Sequence, residues 1–175
     1  DGMIATMEDV TEKTRIEKSL EEREENFRSF FTNINDLLFV VTPTGKFINA
    51  NAMMQKTTGY KFDEILNMNI TDIVSPEDKS VFKHVFQLPE GGDDHQFKAT
   101  FLTKAGQHIF LDIRMNKGTW NAHKVIFGVC RNITELVFSE QKFNKAFHSN
   151  AVAMAISDLS TYSFIDVNES FEKLS

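Results

Sequence analysis

The chain has 175 residues, of which 41% are hydrophobic and 25% charged, and its formal net charge is −6. This is enough sequence for one full-sized domain with extensions, but not for two large domains. The acidic balance disfavours a nucleic-acid-binding surface, which needs clustered Lys and Arg, so we expect no nucleic-acid partner. The 17 Phe, against 1 Trp and 2 Tyr, predict an interior filled by rings that need no hydrogen-bond partner.

The cysteine content and the hydropathy pattern indicate where the chain resides. Cys130 is the only cysteine, so no intramolecular disulfide can form, which fits a reducing compartment. No apolar run approaches the length of a membrane span, and the first residues lack a signal-peptide pattern. We therefore expect a cytoplasmic chain without direct membrane contact.

Similar segments recur along the chain, which indicates repeated units. Residues 8–12 (EDVTE) resemble residues 131–135 (RNITE), and residues 47–51 (FINAN) resemble residues 164–168 (FIDVN). The repeats predict the following division: 1–12, the tail and last strand of an upstream unit; 13–32, a linker helix; 33–132, a complete domain; 133–148, a second linker helix; and 149–175, the truncated start of a third unit.

Both predicted linkers carry a narrow apolar seam. The seam residues are Ile16, Leu20, Phe27 and Phe30 in the first linker, and Ile133, Leu136, Phe143 and Phe147 in the second. The segment from Glu12 to Phe27 is one heptad longer than the segment from Glu135 to Phe143. Helices that must keep a seam in phase change length in such steps, although chance insertion is the alternative. We expect the linkers to pair in a homodimer.

The first part of the central unit alternates between strand-like and helix-like segments. Strands are predicted over residues 37–41 and 46–50, with a Pro- and Gly-containing turn between them. Short helices are predicted over 51–58, 62–66 and 70–74, and a longer helix starts at the capping sequence SPED, residues 75–78, and runs to about Gln87. A loop is expected over residues 88–94.

Three long strands with alternating apolar residues follow. The alternating residues are Phe97, Ala99 and Phe101 in the first strand, Ile109, Leu111, Ile113 and Met115 in the second, and Val125, Phe127 and Val129 in the third. Residues 104–107 read as a hairpin turn. Two strands, several short helices and three strands in this order predict an α+β domain, with helices packed over one face of an antiparallel sheet.

These segments, in this order and spacing, resemble the PAS family. The matching stretches are residues 38–51 (LFVVTPTGKFINAN), 58–60 (TGY), 73–78 (IVSPED), 104–106 (KAG) and 131–135 (RNITE). The resemblance covers about residues 37–135. It implies a five-stranded antiparallel sheet covered on one face by short helices and flanked by long linker helices.

The resemblance also implies a role. PAS domains are sensory modules, and tandem PAS units joined by helices are typical of sensor histidine kinases and diguanylate cyclases. We expect a module of a sensor histidine kinase, with neighbouring PAS units and an output kinase domain as partners; a cyclase is the alternative. The family usually closes with Asp-Ile-Thr, but this domain has Asn132. A neutral side chain cannot hold the usual ion pair with a basic residue, so coupling that depends on this pair is not expected here. Asn132 and Thr134 of the closing segment are the candidate signal-coupling residues.

PAS relatives bind two cofactors, haem and flavin, through recognisable residues. Some PAS sensors bind haem through a His on the helix after the Pro-Glu-Asp segment, and His84 lies on that helix; the alternative is a surface His. Photoactive relatives carry Asn-Cys-Arg where this chain has residues 67–69 (NMN), so flavin is not expected. No His is spaced from another His or Cys as metal ligands are, so no metal site is predicted.

Five residues are candidates for lining a cavity between the helices and the sheet: Phe39, Phe82, Phe97, Leu111 and Phe127. A cavity there would accept a small organic ligand. The alternative is a solid core of close-packed rings, which would make the domain a ligand-free spacer. An enzyme is the third alternative, but the sequence offers no nucleophile–base or metal constellation, so no catalytic residue is predicted.

The partial units suggest one further contact. In a PAS sheet the first strand lies beside the last. Residues 3–8, as an unpaired last strand, are therefore predicted to pair with residues 152–158, as an unpaired first strand, from another chain. Such pairing would cover two exposed sheet edges.

Overall fold

The computed structural model describes residues 2–87 and 95–174, with side chains from residue 13 onward. The chain forms two compact units, and the boundary between them falls between Arg131 and Asn132. The first unit holds the complete domain and the helix before it, and the second holds the next helix and a short hairpin. The loop predicted over residues 88–94 lies outside the described residues.

The elements of the first unit follow the predicted order. They are α1 (Gly2–Asn33), β1 (Leu37–Val41), β2 (Phe47–Ala50), α2 (Ala52–Thr58), α3 (Phe62–Leu66), α4 (Ile70–Ile73), α5 (Lys79–Gln87), β3 (His95–Leu102), β4 (His108–Trp120) and β5 (His123–Asn132). Asn51 caps α2 by accepting a hydrogen bond from the Met54 amide, and Gly59 ends this helix in the left-handed conformation.

The five strands form one sheet in the order β2-β1-β5-β4-β3. β1 is antiparallel to both β2 and β5, and β3 is antiparallel to β4. The first strand therefore lies beside the last strand of the domain. Helices α2 to α5 supply Met54, Ile65, Ile70, Ile73 and Phe82 to the same buried cluster as the strands. These observations confirm the predicted α+β class and five-stranded antiparallel sheet.

Alternation along the strands places the core on one face of the sheet. Ile109, Leu111, Ile113 and Met115 of β4 are buried, while Arg114 between them is exposed. On β3, Ala99 and Phe101 are buried, whereas Gln96 and Lys98 are exposed. The faces predicted for these two strands are correct, because side chains two residues apart point to the same side.

Both predicted hairpin turns are present. The amide of Gly45 donates to the Thr42 carbonyl at 2.9 Å, and that of Gly106 donates to the Thr103 carbonyl at 2.8 Å. Both glycines have positive φ, 86° and 77°, a region that residues with a Cβ rarely adopt. The turn chemistry read from the sequence therefore places β1, β2, β3 and β4 correctly.

Helix α1 is longer than predicted, and it corrects two expectations. It covers Gly2–Asn33, so residues 3–8, predicted as the last strand of an upstream unit, are helical. A single strand has no partner for its backbone groups, whereas a helix pairs them internally. A helix offers no strand edge, so residues 3–8 cannot pair with residues 152–158 of another chain as predicted, and residues 155–157 pair with β7.

The start of α5 also differs from the prediction. Residues 76–78 form a turn, and the regular helix begins at Lys79. The Asp78 carboxylate accepts hydrogen bonds from the Ser75 hydroxyl at 3.0 Å and from the Thr100 amide at 2.7 Å. The Ser75 amide donates to the Thr100 carbonyl at 2.9 Å. These bonds fasten the beginning of α5 to β3, so the SPED segment anchors the helix as well as starting it.

The second unit contains α6 (Thr134–His148), β6 (Ala155–Ser157), β7 (Phe164–Val167) and α7 (Glu169–Glu172). β6 and β7 are antiparallel, with Ala155 opposite Val167 and a register shift after Ile156. β1 and β2 pair in the same way, with Phe39 opposite Ala50 and a shift after Val40. The repeat seen in the sequence is therefore also a repeat of strand register.

The helices of the chain are short or polar relative to the thickness of a lipid bilayer. Within residues 2–87 and 95–174, none of them combines the length and the apolar character that a membrane-spanning helix requires.

Candidate functional site: the aromatic core and the linker junctions

Phe82 of α5 lies at the centre of an aromatic cluster. Its ring centroid is 5.2 Å from that of Phe97, 5.9 Å from Phe101 and 6.5 Å from Phe86. Phe82 and Phe101 are fully buried, and Phe97 packs against the core at its margin. Edge-to-face and tilted contacts at these distances are favourable for aromatic pairs. The rings of helix and strands therefore meet directly between the two layers.

Phe39 of β1 belongs to the same core, on a strand that is not adjacent to β3. It stands opposite Gly128 in the β1–β5 ladder, and its ring makes an edge contact with Phe47 at 5.9 Å. A Cβ atom built on Gly128 would lie 2.0 Å from Phe39 Cζ. The ring therefore lies directly over the backbone of β5, in the space that any larger residue at position 128 would need.

Four of the five cavity candidates line this core, since Leu111 is also fully buried beside the rings. The prediction for Phe127 is wrong. In β5 the residues facing the core are Ile126, Gly128 and Cys130, paired with Val41, Phe39 and Leu37. Phe127 lies on the other face of the sheet.

The outer face of the sheet carries a second aromatic group. The Phe127 ring is 6.1 Å from Trp120 of β4, and Trp120 is 5.6 Å from Phe27 of α1. Phe27 in turn stacks on Phe31, 5.6 Å away. The C-terminal part of α1 is therefore held against the face of the sheet that the shorter helices leave uncovered.

His84 does not enter the core. It is exposed on α5, whereas Phe82 and Val85 of the same helix are buried. The structure therefore does not bring the predicted haem ligand into the space between helices and sheet. Among the described residues, no three His, Cys, Asp or Glu side chains are grouped as a metal site requires.

Cys130 is fully buried on the core face of β5. Burial raises the pKa of its thiol well above the ordinary value, and the negative charges of Asp36 and Asp112 raise it further. Because the thiolate is the reactive form, this cysteine should be chemically inert in the folded protein. It acts as a small apolar residue of the core.

We expect Cys130 to resist thiol reagents until the protein unfolds. Its folded-state pKa is higher than its unfolded-state pKa, so its stabilising effect is present below the unfolded value and declines as pH rises above it. The free energy of unfolding should fall above about pH 9 by up to ~1.4 kcal/mol per pH unit. Urea titrations from pH 8 to 10 measure this decline, and a Cys130→Ala control should show less of it. Rapid modification of native protein at pH 8 would contradict the assignment.

Asn51, a buried residue that the sequence did not mark as functional, organises the start of the domain. The Asn51 side-chain oxygen accepts hydrogen bonds from the amides of Leu38 and Met54, at 3.1 and 3.0 Å. Its side-chain nitrogen donates to the Asp36 carbonyl at 2.9 Å. Asn51 thus joins the beginning of β1 to the beginning of α2. An Asn before a helical segment is a capping signal, which could have identified it.

Asn168 repeats this arrangement in the second unit. Its oxygen accepts hydrogen bonds from the amides of Met154 and Phe171, at 2.9 and 3.0 Å. Its nitrogen donates to the Val152 carbonyl at 2.9 Å, as Asn51 does to Asp36. The residues occupy matching places in the two copies of the repeat. The hairpin of the second unit therefore has the same internal design as the start of the complete domain.

The candidate coupling residues lie where β5 continues into α6. Asn132 is the last residue of β5, and its side-chain oxygen accepts a hydrogen bond from the Thr134 amide at 3.0 Å. One residue earlier, the Arg131 guanidinium lies 3.9 Å from the Asp36 carboxylate. Asn132 therefore joins the end of β5 to the first residue of α6 through an uncharged hydrogen bond, while Ile133 occupies the capping position of the helix. Both candidate coupling residues lie at this junction, and their role in coupling stays a prediction.

Comparison with known proteins agrees with this architecture. The sequence profile of the PAS domain family matches residues 35–135. The chain is 32% identical over 118 residues to the methyl sulfide methyltransferase-associated sensor of Methanosarcina acetivorans, covering 67% of this chain and 12% of that protein. It is 24% identical over 174 residues to sporulation kinase E of Bacillus subtilis, covering 94% of this chain and 23% of the kinase.

Among solved structures, the PAS domain of an HTR-like protein from Haloarcula marismortui superposes with a TM-score of 0.63 at 18% identity. The superposition covers 69% of this chain and 99% of that domain. This likeness supports the fold. With the profile match over more than half of the sequence, it leads to one assignment: the chain belongs to the PAS domain family.

Proposed function

We propose that this chain is a sensory and regulatory module of a signal-transduction protein, a sensor histidine kinase, and that it passes conformational changes along its linker helices. The observation that carries the proposal is the direct passage from sheet to helix. β5 ends at Asn132 and α6 begins at Thr134, with one residue between them. A change in how β5 packs therefore alters the start of α6. Two packings of different stability are what such a switch needs.

The relatives support the signalling context. One is named a sensor and another a sporulation kinase. The chain spans only 12% and 23% of their lengths, so their activities belong to those proteins. For this chain we propose regulation without catalysis, a cytoplasmic location and an output kinase domain as partner. Neighbouring PAS units, including one begun by residues 149–175, are the other partners in this proposal.

A ligand-free spacer is the second candidate, and the aromatic core favours it. Phe39 lies against β5, and Phe82 contacts rings on both β3 and α5, in the space where PAS relatives often hold a ligand. We therefore propose that no cofactor is required. The input would then come from neighbouring units through α1. Phe27 of α1 contacts Trp120, and Trp120 in turn contacts Phe127 of β5.

Pairing of the linker helices into a homodimer is part of the proposal. On α1, Ile16, Leu20 and Phe30 are exposed to 62–66%, and on α6, Leu136 and Phe143 are exposed to 57% and 50%. These are the predicted seam residues, and helix pairing would remove them from water. Phe147, also predicted in the seam, is buried at 4% within its own unit. Light scattering of the chain and of a Leu20→Glu variant tests the dimer.

Insertions into α6 test the transmission role. Two residues inserted after Ser139 rotate the following turns by about 200°, whereas seven residues leave them within about 20° of their original phase. In the full signalling protein, we expect the two-residue insertion to reduce the change in kinase activity on signalling by about tenfold. The seven-residue insertion should preserve that change. Equal output from both variants would refute transmission through the helix.

A further inference from the structure

The C-terminal end of α6 is fastened by the side chain of Asn168. The Asn168 amide nitrogen donates to the carbonyl of Phe147 at 3.0 Å, in the last turn of α6, and to the Val152 carbonyl at 2.9 Å; it also lies 3.4 Å from the Asn150 carbonyl. Asn168 is fully buried. Hydrogen bonds of a buried side chain are costly to break, because the carbonyl partners are then left unpaired.

This fastening distinguishes Asn168 from its counterpart Asn51. The Asn51 nitrogen donates to the Asp36 carbonyl, which lies after the end of α1. The Asn168 nitrogen makes the matching bond to Val152 and, in addition, reaches back to the helix itself. The two copies of the repeat thus share one hydrogen-bond design, and the second copy adds a bond to the linker helix.

Other contacts reinforce the same end of α6. Phe147 is buried at 4% and stacks with Phe143, with ring centroids 5.5 Å apart. The Ser170 hydroxyl donates to the Asn150 carbonyl at 2.7 Å, which holds the connection between α6 and β6. The last turn of the helix, the connection and the start of α7 are therefore tied into one body.

The N-terminal end of α6 has a simpler attachment. Its capping residue, Ile133, makes no side-chain capping bond, and its backbone (φ −111°, ψ 15°) belongs to neither strand nor helix. The hydrogen bond from the Thr134 amide to the exposed Asn132 side chain spans only two residues along the chain. Asn132, Glu135 and Leu136 are exposed. The division between the two compact units also falls here, after Arg131.

We propose that Asn168 locks α6 to the β6–β7 hairpin, so that helix and hairpin move as one lever whose pivot lies at Asn132 and Ile133. The role of the lever in signalling rests on the function proposed above, but the lock itself does not. A rotation of α6 that starts at β5 would then turn the hairpin by the same angle, because the connection of residues 149–153 would not absorb the motion. Asn168 is thus a positioning residue that acts through α6.

The lock can be measured within this chain. Spin labels on Glu140→Cys and Leu159→Cys, both at exposed positions, report the distance between α6 and the hairpin turn. Cys130 is buried, and a sample without the new cysteines shows whether it takes up label. Asn168→Ser is the test variant, because Ser can still cap α7 but is too short to reach the Phe147 carbonyl. Asn51→Ser is the matched control in the first unit.

We expect a narrow distance distribution in the otherwise wild-type chain, about twofold broadening with Asn168→Ser, and no change with Asn51→Ser. A broad distance distribution in the labelled chain that keeps Asn168 would overturn the proposal, and this result does not depend on whether the Asn168→Ser variant folds. The proposal would also be overturned if the Asn168→Ser variant kept the same width of distance distribution while its hairpin amides stayed protected from hydrogen exchange. A narrow distribution together with equal output from both α6 insertions would leave the lock standing and remove its signalling role.

Discussion

Replacing Gly128 with Ala should destabilise the domain by about 3 kcal/mol, near the upper end of typical overpacking costs. The added Cβ would lie 2.0 Å from Phe39 Cζ and 2.3 and 2.5 Å from the two Cε atoms of the same ring. Such distances are too short for carbon atoms, so the ring must move. Phe39 is buried at 1% and its ring already contacts Phe47, which limits that movement. The shift in the urea midpoint of unfolding measures the effect, provided that the dependence of the free energy of unfolding on urea concentration (the m-value) is unchanged.

A matched control is available on the other face of the sheet. At Gly118 an added Cβ would lie 2.9 Å from Phe127, whose ring is only half-buried. We expect Gly118→Ala to cost less than about 1 kcal/mol, because that ring can yield toward solvent. Combining Gly128→Ala with Phe39→Leu should recover part of the lost stability, because the smaller side chain leaves room for the methyl group. The loss in the double variant should therefore be smaller than the sum of the two single losses, by about 1–3 kcal/mol for residues in contact.

The same variant distinguishes a filled core from a hollow one. If empty space surrounded Phe39, its ring would rotate away and Gly128→Ala would be nearly neutral. A neutral result would therefore favour the ligand-binding alternative over the spacer. A large loss with recovery by Phe39→Leu would mean that the rings themselves occupy the space between helices and sheet.

The sequence predicted the elements of the domain because local chemistry decides them. Pro43 and Gly45 define one turn and Gly106 another, and strict alternation over Ile109–Met115 leaves one choice of face for β4. These signals depend on neighbours along the chain, so no tertiary information was needed.

β5 shows why the face of one strand was missed. Apolar residues occupy both sets of alternate positions there, Val125, Phe127 and Val129 in one and Ile126 and Cys130 in the other. The choice is made by Gly128, which leaves room for the Phe39 ring on the adjacent strand. That information lies in the pairing of β1 with β5, far apart in sequence, and period-two patterning alone does not contain it.

The error at the N-terminus has a related cause. Residues 3–8, which precede a segment resembling the close of the domain, were expected to form a strand but belong to α1. In the complete domain, β5 lies between β1 and β4 and is held there by both. Strand character at such a position thus depends on the neighbouring strands, whereas a helix pairs its backbone groups within one segment. For Asn51 and Asn168, the sequence contains the capping signal but not the other partners, because the carbonyls of Asp36, Val152 and Phe147 are backbone groups that no residue pattern identifies.

Phe82→Ala should give the largest single loss of stability, about 3–5 kcal/mol. Phe82 is fully buried, and its ring contacts Phe86, Phe97 and Phe101, so truncation removes both apolar burial and three aromatic contacts. Phe62→Ala serves as control, because that ring is 37% exposed and should cost about 1 kcal/mol. Denaturant unfolding of the three proteins measures the difference.

The cavity left by Phe82→Ala also provides a direct test of whether the natural core has room for a ligand. Its walls would be apolar, so it should stay dry and accept benzene or xenon, as apolar cavities do. Benzene should then stabilise the variant by RT ln(1 + [L]/Kd), about 2.7 kcal/mol at a hundredfold excess over Kd, and leave the wild-type midpoint unchanged. Equal stabilisation of the wild type would mean that a cavity already exists beneath α5. The input signal would then be a small molecule, and transmission from α1 would be the lesser route.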